Sequence, residues 1–371
     1  MSCRRCSGPR VPRRESGAAL VIALMVFGIC AALIVAMKSD FELFYQRGSN
    51  SFLAEQSYTF LRAAEDLASL ALVADHDIDE TKDQQRDDLA EIWAQGVPPY
   101  PLEDTGAFMR GLKPDPEGNG TFVYLEDLQG RFNLNNLDGG RQSGDEGGEG
   151  GEGGEGGEGG PAQKYTAHQA QFIRLLQSFE EPALSQQEAI VVLEAVLDWM
   201  DRGSVPRMYG AEDDYYYGQT PAYRAANRPF ASVTELRAVA HMTPQLYARL
   251  APLVTVWPEG GGTLNIHTAP AGVLRALNAD DDLRPLDAAV ADSLVELRED
   301  APFADTQAFI DQLALGDERP TGGLKNTLGE SSSWFLLGAL VEVADRETRL
   351  YSVLHRSQRH IEAVARSTGE L

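Results

Sequence analysis

The sequence predicts an α+β protein: a long N-terminal helix, then a sheet-forming part whose strands enclose an inserted helical domain. Three observations predict this. An uncharged run from Ala18 to Met37 continues into apolar residues at helical spacing. Strand-like patterns fall near residues 121 and 340. Between them, from Thr166 to about Asp317, the periodicity is mostly helical.

At the N-terminus, Arg4, Arg5, Arg10, Arg13 and Arg14 stand against the single acid Glu15. Ala18–Met37 then matches the roughly 20 apolar residues that a bilayer-spanning helix needs. Lys38 and Asp40 end the run. The basic flank predicts an N-terminus in the cytoplasm and the bulk of the chain outside it. A secretory signal would have a shorter apolar core followed by a small-residue cleavage site, whereas here Gly17 precedes a long core. A plain signal anchor fits the hydropathy. So does a short basic leader cut after Gly17, which would leave Ala18 first and the apolar helix in place. The residues alone leave both open.

From Phe41 the spacing of Phe44, Phe52, Phe60, Leu61, Ala64, Leu67, Leu70 and Ala71 extends the helix beyond the membrane, with Glu55, Arg62, Glu65 and Asp66 on another face. Residues 75–120 are polar, Pro-rich at Val97–Pro101 and rich in turn signals at Lys113–Gly120. Thr121–Leu125 reads as a strand. The Gly-Gly-Glu repeats of 139–160 cannot bury apolar surface and predict a solvated, flexible loop. Helices are expected over Gln169–Phe179, Gln186–Met200, Val233–Val239, Pro244–Val254 and Ala271–Leu277. Two strands, Trp334–Val343 and Thr348–Arg356, are expected to turn at Asp345-Arg346-Glu347.

The formal net charge of −24 disfavours binding to phosphate backbones. Cys3, Cys6 and Cys30 are the only cysteines, so no disulfide framework holds the C-terminal part, and one CxxC pair is too little for a four-ligand zinc site. The richest chemistry lies in DWMDRGSVPRMYGAEDDYYY, residues 198–217. Asp198, Asp201, Glu212, Asp213 and Asp214 share a segment that Gly203, Pro206 and Gly210 allow to fold back. Hard oxygen donors so clustered suit Ca²⁺, although the spacing is not that of an EF-hand, and a solvated acidic loop fits equally. Segments 229–237 and 264–274 look like helix-hairpin-helix modules. Ala240-His241-Met242 stands where a phosphate-binding hairpin would carry glycines. The six histidines show no paired ligand spacing, and GxSxG and P-loop motifs are absent, so no enzyme is expected.

Four segments in order, LQGRFNLNNL (128–137), DWMD with GAEDDYYY (198–217), ELRAV (235–239) and LNIHTAP (264–270), resemble the K-type minor pseudopilin family of type II secretion. The resemblance implies a pilin-like α/β body with a large inserted all-α domain of helix-hairpin-helix or SAM-like type. The chain then divides into a prepilin-type leader (1–17), a transmembrane helix (18–37), a stem with the first strands (38–138), the Gly/Glu loop (139–160), the helical insertion (161–320) and closing strands (321–371). It implies cleavage after Gly17 by prepilin peptidase and methylation of Ala18. It also implies a place at the pseudopilus tip with I- and J-type minor pseudopilins, above G-type major subunits. The location would be the inner membrane, with the C-terminal domain in the periplasm, and the role would be to promote pseudopilus assembly and export of folded proteins. Ile22 falls at the fifth mature position, where most pilin-like subunits carry Glu; K-type subunits typically lack that acid, which suits a subunit with no neighbour above it. Calcium is implied in the insertion, held by Asp201, Glu212 and Asp213, with Asp198 and Asp214 as further candidates. The Gly/Glu loop, the long leader and His267 depart from the family pattern. The competing functional reading is a membrane-anchored helix-hairpin-helix receptor for DNA uptake; a bitopic calcium-binding structural protein is the third.

Overall fold

The computed structural model describes residues 16–82, 85–95, 100–102, 107–111, 124–138, 165–313, 315, 319–343 and 346–369. The leader up to residue 15, the Gly/Glu loop, Thr121–Val123 and Asp345 lie outside them. The chain forms two units, Met1–Tyr58 and Thr59–Leu371.

Helix α1 spans Ser16–Lys82. Its N-terminal part is long and apolar enough to cross a membrane, judged by length and composition. In the first unit its apolar side chains, among them Ile22, Phe27, Phe41, Phe44 and Phe52, are exposed. In the second unit the buried stripe is Leu61, Ala64, Ala68 and Leu72. Leu67 and Leu70, expected on that stripe, are exposed, while Glu65, expected on the polar face, is buried. Pairing accounts for the exchange: Glu65 accepts from Ser352 Oγ (2.9 Å) and from Arg366 Nε and Nη2 (both 2.8 Å). A carboxylate can face the sheet when such partners offset its desolvation.

The sheet is built from β1 (Tyr100–Leu102), β2 (Ala107–Gly111), β3 (Tyr124–Asp127), β8 (Trp334–Val343), β9 (Arg346–Ser357) and β10 (His360–Ser367). The order is β1-β2-β8-β9-β10, with β3 also paired to β8, and all pairs are antiparallel. Strands β3 and β8 therefore enclose the helical part in sequence. Of the turn expected at Asp345-Arg346-Glu347, Arg346 and Glu347 belong instead to β9, paired with Val343 and Glu342. Strand β10 goes beyond the sequence expectations: its half-buried positions are Ile361, Ala363, Ala365 and Ser367 while Val364 is exposed, so its alternation gives little hydrophobic contrast. Strands β1 and β2 lie in what read as a polar, Pro-rich stretch.

Between the sheet segments lie β4 (Phe132–Asn133), α2 (Ala167–Gln177), α3 (Gln186–Met200), α4 (Asp213–Tyr217), α5 (Pro244–Leu250), β5 (Val254–Thr255), β6 (Leu264–Asn265), α6 (Ala271–Leu274), α7 (Ala288–Asp300), α8 (Thr306–Gln312), α9 (Gly322–Thr327) and β7 (Leu328–Gly329). Val233–Ala238, expected as helix, is a 3₁₀ segment closed by a Ser232/Glu235 capping box. One core gathers Phe172, Leu193, Trp199, Tyr216, Leu236 and Leu250 around α2 and α3. A second gathers Ile266, Leu274, Leu294, Phe309 and Leu324 around α6–α9. Buried Arg174 joins the two regions, donating to the carbonyls of Asp282 (2.7 Å) and Ala279 (2.8 Å).

The LQGRFNLNNL and LNIHTAP segments are polar junctions inside this body. Asn135 Nδ2 donates to the carbonyls of Val256 (2.8 Å) and Phe230 (3.0 Å), and its Oδ1 accepts from Phe230 N (2.8 Å). Asn265 Nδ2 reaches Asp87 O (3.0 Å), Asp127 Oδ2 (3.1 Å) and Ser332 Oγ (2.9 Å). Buried amides with this many partners fix register as well as stability.

Candidate metal centre

Helix α3 starts at a Ser185/Glu188 capping box and carries its apolar residues into the first core. Its C-terminal turn supplies two carboxylates. Asp198 is fully buried, and Asp201 is the C-cap. The chain then turns back: Gly203 N donates to Asp201 Oδ1 (2.7 Å), Arg207 N to Asp198 Oδ2 (3.0 Å), and Tyr209 N to Glu194 Oε2 (2.7 Å). This return places Glu212, the N-cap residue of α4, beside the other two acids. Asp198, Asp201 and Glu212 each offer an oxygen within 4.8 Å of the others. Trp199 and Tyr216 pack edge to face, 5.2 Å between centroids, and anchor α4 against α3.

Three features show that these residues fit a hard divalent cation. Glu212 is 5% exposed, and its buried Oε1 has no hydrogen-bond partner among the described residues. Such an atom normally finds a donor or an ion. Second, the loop presses glycines against the acids. A Cβ at Gly210 would collide with Asp198 Oδ2, and one at Gly203 would come within 2.7 Å of Asp201 Oδ1. Third, the donors are carboxylate oxygens, as Ca²⁺ prefers. Burial, together with the charges of Asp198 and Asp201, pushes the Glu212 carboxyl up to about 7. Burial also raises that of Asp198.

Of the five acids singled out in the sequence, the structure brings together Asp198, Asp201 and Glu212. Asp213 turns away, its Oδ1 accepting from Ala225 N (3.1 Å), and Asp214 is exposed outside the group. Glu212 is the extended N-cap and Asp213 the first helical residue of α4, so the change of backbone conformation between them sends the two adjacent side chains to different sides.

A second group of three acids, Asp75, Asp87 and Glu91, was not found from the sequence. It joins the tail of α1 to the segment after it, and only the fold reveals its cation, Arg356 of β9. Arg356 pairs with Asp75 (3.1 Å) and with Asp87, and donates to Ser332 O (2.8 Å). Its guanidinium lies 4.9 Å from the centroid of the Phe335 ring. Burial, then the charge of Asp87, pushes Asp75 up to about 7, and burial pushes Glu91 up to about 8. Next to them Asp127 is raised to about 6 by burial, against hydrogen bonds from Ser332 and Thr268.

Together these features define a subunit with an N-terminal apolar helix, a pilin-like antiparallel sheet and a helical insertion bearing an acidic centre. Two models described as type II secretion system (T2SS) protein K match residues 130–259 and 264–331. Type II secretion system protein K of Aeromonas hydrophila is 30% identical over 359 residues, spanning 93% of this chain and 94% of that protein. The protein K of Pseudomonas aeruginosa is 29% identical over 368 residues, spanning 96% and 94%. A chain in the crystal structure of the GspK-GspI-GspJ complex from enterotoxigenic Escherichia coli superposes with a TM-score of 0.65. The identity is 25%, and 88% of this chain and all of that one are covered. The chain belongs to the type II secretion system protein K family of minor pseudopilins.

Proposed function

We propose that this subunit sits at the tip of a type II pseudopilus, where it promotes assembly of the filament and export of folded proteins. The observation that carries the reading is similarity along nearly the whole length of protein K relatives, together with likeness to a chain of a K–I–J complex. By that likeness its partners are I- and J-type minor pseudopilins; G-type major subunits would form the filament below them. Ala18–Met37 anchors it in the inner membrane and the larger unit lies in the periplasm. Prepilin peptidase removes the leader after Gly17 and Ala18 is methylated. Ile22 then leaves the fifth mature position without a carboxylate, so no neighbour is recruited above.

The role is mechanical, as a structural secretion component. Bound calcium would supply positive charge to three carboxylates that otherwise repel one another. Asp198 and Asp201 would hold it from the end of α3 and Glu212 from the start of α4. The loop between these helices would be tied down by the same residues. The helix-hairpin-helix region acts as scaffold: Ala240 N, at the tip where a phosphate would be met, instead donates to Tyr216 Oη (3.2 Å). Next to it His241 adopts φ 65°.

Intact mass of the membrane-extracted chain, with prepilin peptidase present and absent, tests the processing on which this depends. The expected product starts at N-methylated Ala18 only when the peptidase is present. An uncut chain beside active peptidase would leave a plain anchor and remove the filament role.

A further inference from the structure

Each of the two carboxylate groups is met by one arginine, and the two arginines are held very differently. The Arg356 side chain is 9% exposed. It has two ion pairs, a carbonyl and an aromatic face as partners, so it is a fixed part of the core. Arg207 lies on the loop between α3 and α4, and its side chain is 37% exposed. Its guanidinium is held by the carboxylates: Nη1 reaches both Asp198 Oδ1 and Asp201 Oδ2 (2.6 Å for the latter). Its neighbours Val205 and Met208 are 81% and 83% exposed, so no packing fixes the loop surface beside it.

We propose that Arg207 is a built-in competitor for the divalent cation at this centre, so that ion binding exchanges one cation for another and Arg207 sets the affinity. The inference rests on the calcium reading given above. The oxygens that Nη1 occupies belong to two of the three acids offered to the metal. Calcium sits about 2.3–2.6 Å from each oxygen it takes, which leaves no room for a guanidinium nitrogen in the same place. Two cations that close also repel. Glu212 Oε1, by contrast, has no hydrogen-bond partner among the described residues, and it shares with Asp201 Oδ1 the spot that a side chain at Gly203 would fill. An ion can therefore engage Glu212 first and displace the arginine from Asp201 and Asp198. The displaced side chain has solvent to enter. The loop backbone keeps its own hold through Arg207 N on Asp198 and Tyr209 N on Glu194, so the exchange moves a side chain and leaves the loop in place.

The test is calorimetric titration of the full chain in detergent micelles with calcium chloride, comparing wild type, Arg207→Gln and Arg207→Lys. Loss of the competing charge should tighten Arg207→Gln by about tenfold or more, the factor that ~1.4 kcal/mol represents. Arg207→Lys, which keeps the charge, should stay within about threefold of wild type on the same scale. Near-UV circular dichroism checks that all three are folded. If wild type binds and Arg207→Gln binds no tighter, the competition is overturned while the calcium site stands. If Arg207→Lys tightens as much as Arg207→Gln, charge is not the cause and the proposal fails. If Arg207→Gln binds and wild type does not, competition is upheld in its strongest form. If neither binds, the calcium reading and this inference both fall.

Discussion

Replacing Arg356 with Met should destabilise the larger unit more than any other single change at its surface-distant ion pairs. The side chains of Arg356, Asp75 and Asp87 are 9%, 4% and 1% exposed, so the variant strands two carboxyls in the interior. Removing one partner of a buried pair typically costs about 3–5 kcal/mol. Met retains the packing against Phe335 and isolates the loss of charge. At about 2–4 °C per kcal/mol for a domain somewhat smaller than this one, the apparent melting temperature should fall on the order of 10 °C. The pH dependence adds a sign. The folded-state carboxyls of Asp75 and Asp87 are raised above their unfolded values, that of Asp75 to about 7. The native state therefore holds more protons than the unfolded chain, and the stability from these groups falls as pH rises from about 4 through about 7. Without Arg356 both carboxyls shift further up. The deficit of the variant relative to wild type should then be larger at pH 8.5 than at pH 6. Thermal circular dichroism of the full chain in micelles at both pH values is the assay. A shift below about 2 °C at pH 8.5, equivalent to under 1 kcal/mol, or a deficit that shrinks with rising pH, would refute the reasoning.

Gly210→Ala should weaken calcium binding by about tenfold or more while leaving the melting temperature within a few degrees, because its Cβ would drive Asp198 Oδ2 from the centre on a loop that carries little of the core. Titration calorimetry with a parallel melt reads both, and unchanged affinity would show that Asp198 is not a ligand. Ile22→Glu should give no gain in secretion, measured as exported cargo in a complemented deletion strain. A clear gain would mean that the subunit has a neighbour above it in the filament.

Much of the architecture was legible because it rests on local pattern. Ala18–Met37 is apolar without interruption, α3 is bounded by Ser185 and Asp201, and Trp334–Val343 is a strand by composition and by structure. What the sequence concealed depends on partners far along the chain. Glu65 reads as solvent-facing until Arg366, some three hundred residues on, is seen beside it. The Asp75/Asp87/Glu91 group is equally hidden, since its arginine comes from β9. At the candidate metal centre, composition pointed to the twenty-residue stretch that holds the three converging acids, but not to which acids converge. That choice follows from the return of the loop through Gly203 and Gly210 and from Asp213 capping Ala225 N. Arg207 carried no signal at all, because an arginine among acids in a loop is ordinary until its nitrogen is placed between two of them.

The proposed tip position predicts this subunit at one end of each filament and nowhere along it. Immunogold electron microscopy of pseudopili assembled with excess G-type major subunit, using an antibody to the helical insertion, tests it most directly. A single label at one end of each filament is the predicted result. Label spaced along the filament length, or filaments formed in full without the subunit at either end, would contradict it.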